Sequence, residues 1–315
     1  MRNSRRFVLG AALLALLLTL GACKSGGGET KSSGGKTVAS TFVFGAPPDC
    51  PTNPFCQIGL KRVYGIVFKQ VKPLDFGGPL TVKALKSGAI QVGELFSTSV
   101  YDPDFVVLDD DKHLQAADNL VPVVRKEADS PDIDTLLNGI MAKLTTENVL
   151  AMNKQYDLEH KDAADIAQAF LQQNELLGEK TTTGSGKTIT VGVSANFNEQ
   201  VILAEMYRMV LENAGYTVKT ETNIESRKVS DPALFSGKID LKTEYLASEA
   251  RALDEKANLT GDPANNAQAL KQLYAAKGVN VLDFSPAADQ NVFVVTKATA
   301  SKYGLSKVSD LAKSV

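Results

Sequence analysis

The chain has 315 residues, of which 43% are hydrophobic, and its formal net charge is −2. This size and apolar content are sufficient for two α/β lobes with separate cores. Because the charges nearly balance and the sequence shows no basic patch, the composition argues against a nucleic-acid partner.

The N-terminus predicts export from the cytoplasm. Three arginines within the first six residues precede an uncharged apolar run over residues 7–20. A basic start followed by a short apolar run is typical of a secretory signal and is too short for a stable transmembrane helix. We therefore predict a signal peptide over residues 1–22.

The segment after the apolar run predicts a lipid anchor. "LGAC" at residues 20–23 resembles the lipobox of bacterial lipoproteins, which implies cleavage before Cys23 and diacylation of its sulfur. An ordinary signal peptide with an incidental cysteine is the alternative. Residues 23–37 are rich in Gly, Ser and Lys and are expected to form a flexible tether. The mature protein is therefore expected outside the cytoplasm, anchored to the cell membrane.

The two remaining cysteines, Cys50 and Cys56, lie six positions apart in "CPTNPFC". In an oxidising compartment this spacing predicts a disulfide that contributes roughly 2 kcal/mol. A metal site is the competing interpretation, but His113 and His160 are isolated in polar surroundings, where we expect them to be solvated. We therefore expect no metal and no cofactor.

Two stretches further along the chain form a repeat. "ALKSGAIQVGELF" at residues 84–96 matches "ALFSGKIDLKTEY" at residues 233–245. In each, a predicted helix ends at Ser-Gly, a strand follows, and an aromatic residue, Phe96 or Tyr245, lies eight positions after the glycine. The repeat predicts two similar α/β lobes that present these aromatic residues to a cleft between them.

Two motifs resemble ligand-binding loops but lack the required spacing. "LDDDKH" at residues 108–113 does not fit an EF-hand calcium loop and is expected to be a solvated turn. "GSGKT" lacks the first P-loop glycine, because that position is Thr181, and a strand rather than a helix follows Lys187. We therefore interpret the segment around it as a flexible polar linker.

The strongest helix signal lies in "NFNEQVILAEMYRMVLENAGY". Asn196 and Glu199 have the spacing of a capping box at its start, and Asn213 with Gly215 marks its end. A strand, "TVKTET", is predicted to follow.

Most of the mature chain resembles the substrate-binding lipoproteins of ABC importers for glycine betaine, choline and related osmoprotectants. "SANFNEQVILAEMY", "DPALFSGKIDLKTEY", "DQNVFVVTK" and "KYGLSKVSDLAK" resemble the first half of that family. "GAPPDCPTNPFCQIGLKRVYG", "PLDFGGPLTVKALKSG" and "NLVPVVRK" resemble its second half. Here the second half comes first, so the sequence resembles a circular permutant in which residues 178–187 join the usual ends. A fragment of a tandem gene or an assembly error would give the same order.

The resemblance implies an α/β, two-lobe periplasmic-binding-protein fold of type II, with the ligand cleft between the lobes. One lobe is expected to be split between residues 38–120 and 296–315. The other is expected to be continuous over residues 121–295 and to contain the linker 178–187. "NVFVVTK" and "NLVPVVRK" are the expected crossings.

The resemblance also implies a ligand and its contacts. A quaternary ammonium cannot donate ordinary hydrogen bonds, so aromatic faces are its natural partners. The residues that match the family's binding positions, or that lie on loops expected to face the cleft, are Gln200, Tyr245, Ser248, Phe293, Phe96, Asn291, Asn119, Asp49 and Thr98. Asn119 stands where a fourth aromatic residue often occurs, which predicts a weaker cage or a different cation.

The expected partners are an ABC permease and its ATPase subunit, and we expect the protein itself to be a monomer without enzymatic activity. If the protein is a binding protein, the alternative ligand is an amino acid or a polyamine, because Asp49, Glu94 and Glu244 could attract an amine. An extracellular enzyme is a weaker alternative, because no set of nucleophile, histidine and acid is apparent. A sensor that signals through another protein is a third.

Overall fold

The computed structural model describes residues 36–75, 77–194, 197–222, 224 and 226–315. They belong to one compact unit, Lys36–Val315. The predicted signal peptide, residues 23–35 of the predicted tether with Cys23, and the proposed cap residue Asn196 lie outside the described residues.

Ten strands form two five-stranded sheets. In chain order they are β1 Val43–Ala46, β2 Gln70–Pro73, β3 Val92–Phe96, β4 Phe105–Leu108, β5 Leu120–Arg125, β6 Thr188–Gly192, β7 Thr217–Glu221, β8 Leu241–Tyr245, β9 Val279–Val281 and β10 Asn291–Thr296. The first sheet has the order β2-β1-β3-β10-β4, and the second has the order β7-β6-β8-β5-β9.

The two sheets have the same topology. In the first sheet, β1 pairs in parallel with β2 and β3, and β10 pairs antiparallel with β3 and β4. In the second sheet, β6 pairs in parallel with β7 and β8, and β5 pairs antiparallel with β8 and β9. The predicted repeat is therefore confirmed, since the matched segments end in the equivalent strands β3 and β8. Each crossing strand, β5 or β10, is the first strand that the chain forms after it passes from one sheet to the other.

Helices flank both sheets. They are α1 Val38–Thr41, α2 Gln57–Tyr64, α3 Pro79–Lys86, α4 Pro131–Met141, α5 Thr146–Asp157, α6 Ala163–Gln173, α7 Asn198–Asn213, α8 Arg227–Phe235, α9 Leu246–Leu253, α10 Pro263–Ala275, α11 Lys297–Tyr303 and the 3-10 helix Val308–Ala312. Ordinary end signals set several boundaries: Ser130 caps α4, Thr145 forms a capping box with Asn148, and left-handed Gly65 and Gly304 end α2 and α11. No helix in the described ranges is long and apolar enough to cross a membrane.

The sheets divide the chain within a few residues of the expected lobe boundaries. β10, residues 291–296, lies within the first sheet, although the expected boundary assigned residues up to 295 to the continuous lobe. β5, residues 120–125, lies in the second sheet, whereas the expected boundary placed residue 120 in the split lobe. The chain therefore crosses between the sheets in the segments before these strands, where Asn119 and Ala288 form an isolated antiparallel bridge.

The connection that carries "GSGKT" is ordered rather than flexible. The backbone N–H groups of Thr181 and Gly184 donate to the carbonyls of Asn213 and Ala214 at the end of α7, both over 2.9 Å. Gly184 packs so closely against the ring of Tyr216 that an added Cβ would lie 2.2 Å from it. These contacts hold a segment that its Gly/Ser composition predicted to be flexible. β6 then begins at Thr188, which confirms the strand expected after the motif.

The two ends of the folded body lie side by side. The N–H of Val38 donates to the carbonyl of Lys313, and the N–H of Val315 donates to the carbonyl of Lys36, each over 2.9 Å. Thr37 and Ser314 form an antiparallel bridge between them. A short turn could therefore join the last residues to the first without moving either.

Candidate functional site

A cavity of about 160 Å³ lies between the two sheets, where β3 and β8 end. The carboxyl edge of parallel strands is the usual place for a ligand in such folds, because the strands end there and helices begin. Phe96 is the last residue of β3, Tyr245 is the last residue of β8, and Phe197 immediately precedes α7. All three line the cavity.

The three aromatic rings form a row from one lobe to the other. The ring centroid of Phe197 lies 5.5 Å from that of Tyr245 and 6.1 Å from that of Phe96. Phe96 belongs to the first sheet, whereas Phe197 and Tyr245 belong to the second lobe. Movement of the lobes relative to each other would therefore open or close a surface that carries π faces on both sides.

Two buried carboxylates, Asp118 and Asp289, face the same cavity. Asp118 accepts hydrogen bonds from the N–H groups of Ala247 (2.7 Å) and Ser248 (2.9 Å) and from the Ser248 hydroxyl. Asp289 accepts hydrogen bonds from the hydroxyl (2.6 Å) and the N–H (3.3 Å) of Thr98. Burial raises the pKa of both carboxyls, and the charge of Glu199 raises the pKa of Asp289 further.

The hydroxyl of Tyr245 is held by a third acid. It donates to Glu199 Oε1 over 2.6 Å, and Asn153 Nδ2 donates to Glu199 Oε2 over 2.8 Å. Burial and then the Glu199 charge raise the pKa of Tyr245 well above its usual range, while a hydrogen bond from the side chain of Gln200 opposes the shift. Glu199 therefore orients the tyrosine ring from behind.

The two positive groups that line the cavity contact other side chains of the protein. Arg227 Nη2 lies 2.8 Å from Glu244 Oε2, and its Nε lies 2.7 Å from Glu249 Oε2. Its guanidinium also lies 5.9 Å from the centroid of the Tyr245 ring. Arg251 stacks over Phe55, with 5.2 Å between the guanidinium carbon and the ring centroid.

Comparison with known proteins identifies the type of domain. The family profile described as "Substrate binding domain of ABC-type glycine betaine transport system" matches residues 36–173 and 187–315. The chain belongs to this family. The unmatched residues between the two segments include most of the ordered connection that holds "GSGKT".

Two records of a "Carnitine transport binding protein OpuCC" from Listeria monocytogenes, one of them from strain 10403S of serotype 1/2a, match part of the chain. Each is 29% identical over 117 residues, which cover 36% of this chain. The match spans 37% of the length of these curated relatives.

Solved structures with a similar fold include one from a study of glutathione import through GshT and the cystine importer TcyBC of Streptococcus mutans. It is 14% identical, covers 87% of this chain and 86% of its own, and has a TM-score of 0.42. PhnD1 of Prochlorococcus marinus in complex with methylphosphonate is 12% identical, covers 87% and 83% of the two chains, and has a TM-score of 0.39.

The structure brings four of the sequence-predicted residues to the cavity: Phe96, Tyr245, Ser248 and Asn291. Two others contact its walls. Gln200 hydrogen-bonds to Tyr245, and Thr98 binds Asp289 from the side of a wider groove of about 660 Å³ that also contacts Phe96 and Phe197.

Three predicted contacts lie elsewhere. Phe293 is fully buried in the core of the first lobe, where its ring centroid lies 5.9 Å from that of Phe44. Asn119 Nδ2 donates to the carbonyls of Ser285 and Pro286 and so ties the two crossing segments together. Asp49 is exposed and does not line the cavity. These three residues are therefore not part of the cage that we propose below.

Glu94 and Glu244, which supported an amine ligand as the alternative from the sequence, do not line the cavity either. Glu244 is buried in ion pairs with Arg227 and Lys242. Glu94 is buried beside the predicted disulfide, which the structure contains between Cys50 and Cys56. Both histidines are exposed, as expected.

Sequence reasoning missed Phe197, Asp118 and Asp289. Phe197 lies within "SANFNEQ", whose pattern by itself signals only the start of a helix. The two aspartates had a clear signal, because "AADN" at residues 116–119 and "AADQ" at residues 287–290 precede the two crossing strands. This second repeat places one carboxylate at each crossing.

Proposed function

We propose that this protein is the extracytoplasmic solute-binding component of an ABC importer and captures a quaternary-ammonium osmoprotectant, such as glycine betaine or choline, for its permease. The observation that carries the proposal is the row of Phe96, Phe197 and Tyr245 beside the carboxylates of Asp118 and Asp289. Family membership and the partial similarity to a carnitine-binding protein support the same ligand class.

The chemistry of the ligand fits this wall. A trimethylammonium group presents methyl groups that carry partial positive charge, and an aromatic face attracts it with about 0.5–2 kcal/mol, depending on desolvation. Three such rings and one buried carboxylate can approach the roughly 8 kcal/mol that micromolar binding requires. The cavity of about 160 Å³ limits the ligand to a small molecule.

Replacement of Phe197 by leucine tests the proposal. Leucine keeps an apolar side chain but removes the π face, so binding of choline or glycine betaine should weaken by about 2- to 30-fold. Isothermal titration calorimetry of wild type and Phe197→Leu measures the difference. Phe235→Leu is the matched control: Phe235 is also half-buried in the second lobe and packs on a tyrosine, Tyr274, but does not line this cavity.

Two outcomes would contradict the proposal. If the folded wild-type protein binds none of choline, glycine betaine, proline betaine and carnitine, the ligand class is wrong. An equal effect of Phe197→Leu and Phe235→Leu on affinity would place the ligand away from the aromatic row. Putrescine and arginine in the same titration test the amine alternative, for which the buried carboxylates of Asp118 and Asp289 are the supporting observation.

We also propose that Cys23 carries a lipid that anchors the protein to the outer face of the cell membrane. The lipobox-like "LGAC" supports this proposal. Cys23→Ser should then move the protein from the membrane fraction to the soluble fraction of cells, and retention in membranes would contradict it.

The exchanged order of the two halves is a further part of the proposal. Three observations support it: the ends of the folded body adjoin, the family match is interrupted at the connection before β6, and the curated relatives match over only 117 residues. A colinear alignment of a permuted chain can include only one half, so a match of this length is expected.

A further inference from the structure

We infer that the ligand is a quaternary ammonium without a carboxylate of its own, such as choline, because a carboxylate of the protein, Asp118, already occupies the donors at the helix start that faces the cavity. The inference rests on the proposed function and narrows the ligand class within it.

The first amides of a helix are the natural place for a ligand carboxylate, because their N–H groups have no partner within the helix. At the start of α9, however, Asp118 Oδ1 already accepts from Ala247 N and Ser248 N, and Asp118 Oδ2 accepts from the Ser248 hydroxyl. A ligand carboxylate would have to displace Asp118 and leave a buried charge without its hydrogen bonds, which is costly.

Two other donors expected for a carboxylate, Gln200 and Arg227, are also engaged. Gln200 hydrogen-bonds to the hydroxyl of Tyr245. Arg227 is paired with Glu244 and Glu249, and the side chains of these glutamates are 5% and 0% exposed. A carboxylate that approached Arg227 would compete for its N–H groups with the buried side chains of Glu244 and Glu249.

The remaining charges favour a ligand with a net positive charge. Arg251 is the one cavity-lining guanidinium for which the described part of the chain shows no ion-pair partner. It is half-buried over Phe55, so water screens its charge. Against it stand Asp118, which accepts three hydrogen bonds, and Glu199 behind Tyr245, both buried. A choline-like cation complements these carboxylates, whereas a zwitterion adds a further carboxylate to the same site.

Choline and glycine betaine form a matched pair for the test, because both carry a trimethylammonium group. Choline has a hydroxymethyl group where glycine betaine has a carboxylate. We expect the wild-type protein to bind choline at least about tenfold more tightly in isothermal titration calorimetry, a difference of roughly 1.4 kcal/mol. Equal or tighter binding of glycine betaine would overturn the inference but leave the proposed function standing. No binding of either ligand by the folded protein would overturn both.

Asp118→Asn tests the residue that carries the argument. The amide removes the charge and one acceptor, so choline should bind more weakly and its preference over glycine betaine should fall below about threefold. A preference that stays tenfold in this variant would overturn the inference. Asp111→Asn is the matched control, because Asp111 accepts from the N–H and hydroxyl of Ser309 in the same way but lies outside the cavity lining.

If Asp118→Asn does not fold, the ratio of the choline and glycine betaine affinities of the wild-type protein still tests the inference. Ser248→Ala then provides a milder variant. It removes one of the three donors to Asp118 and should reduce the preference for choline in the same direction. The inference would be overturned if the wild-type protein binds choline and glycine betaine with nearly equal affinity and folded Ser248→Ala does the same.

Discussion

At the scale of single residues, the most unusual group is Glu94, a buried acid beside a disulfide. One of its carboxyl oxygens lies 2.7 Å from Cys56 Sγ. A disulfide sulfur has no proton, so the carboxyl must be the donor in this contact. Burial, followed by the charge of Asp49, raises the pKa of Glu94 to about 8, which keeps the carboxyl protonated at neutral pH.

The raised pKa predicts a dependence of stability on pH. Between the ordinary pKa of 4.5 and the folded-state value of about 8, the folded protein holds a proton that the unfolded chain releases. The free energy of unfolding should therefore fall as the pH rises through this window. Glu94→Gln removes this loss and should be more stable than wild type at pH 8 by roughly 4 kcal/mol, but not at pH 4.

Urea unfolding of wild type and Glu94→Gln at several pH values from 4 to 9 measures this difference. Taking the difference between the two proteins cancels the contributions of other titrating groups. A difference that does not change with pH would show that Glu94 is ionised in the folded protein.

At the scale of elements, β8 joins the cavity to a buried charge network. Lys242 and Glu244, on the same face of this strand, lie 2.7 Å apart, and Lys242 also contacts Asp231 of α8. Arg227 of α8 then connects Glu244 to Glu249 of α9. The network fixes α8 and α9 against the strand that ends at Tyr245, so it positions the ring that we propose to face the ligand.

Lys242→Met tests the role of this network. Methionine fills the space but leaves Glu244 and Asp231 without their shared cation, so we expect a loss of about 3 kcal/mol in the free energy of unfolding. Thermal and urea unfolding give the measurement. Lys86→Met, which breaks the surface pair with Asp102, should change stability little because the side chain of Lys86 is 60% exposed. Similar losses in the two variants would contradict a special role for the buried network.

Sequence periodicity predicted the elements better than it predicted which side chains face the cavity. Phe96 and Tyr245 line the cavity, and each ends a strand after the same Ser-Gly signal. Phe293 does not line it, because it lies two residues inside β10, where Phe44 covers it, while Asn291 at the strand's start reaches the cavity. A sequence shows the alternation of a strand but not which part of it another lobe covers.

At the scale of the whole molecule, the repeat predicted two equivalent sheets, and their strand orders confirm it. The ordered state of the connection at residues 178–187 was not predictable, because its hydrogen bonds go to the distant end of α7. Nor could composition show that Gln200 and Ser248 are engaged within the protein, since their partners Tyr245 and Asp118 come from other segments. Tertiary contacts decided both points.

The adjoining ends predict that the two halves of the chain can be exchanged in order without loss of the fold. A variant that joins Val315 to Lys36 through a two-residue turn and opens the chain after Lys180 should keep the fold and the ligand affinity, because the antiparallel pair at the ends suits a tight turn. Circular dichroism and titration calorimetry test this. Opening the chain after Lys143, next to fully buried Leu144, should instead reduce stability. Failure of the first variant to fold would contradict the proposed permutation.

The most direct measurement of the central claim is an experimental structure of the protein with choline bound. The account predicts the ammonium nitrogen between the lobes, within about 6 Å of the ring centroids of Phe96, Phe197 and Tyr245 and close to Asp289. Choline in another groove, or a cavity that stays empty at saturating choline, would contradict it.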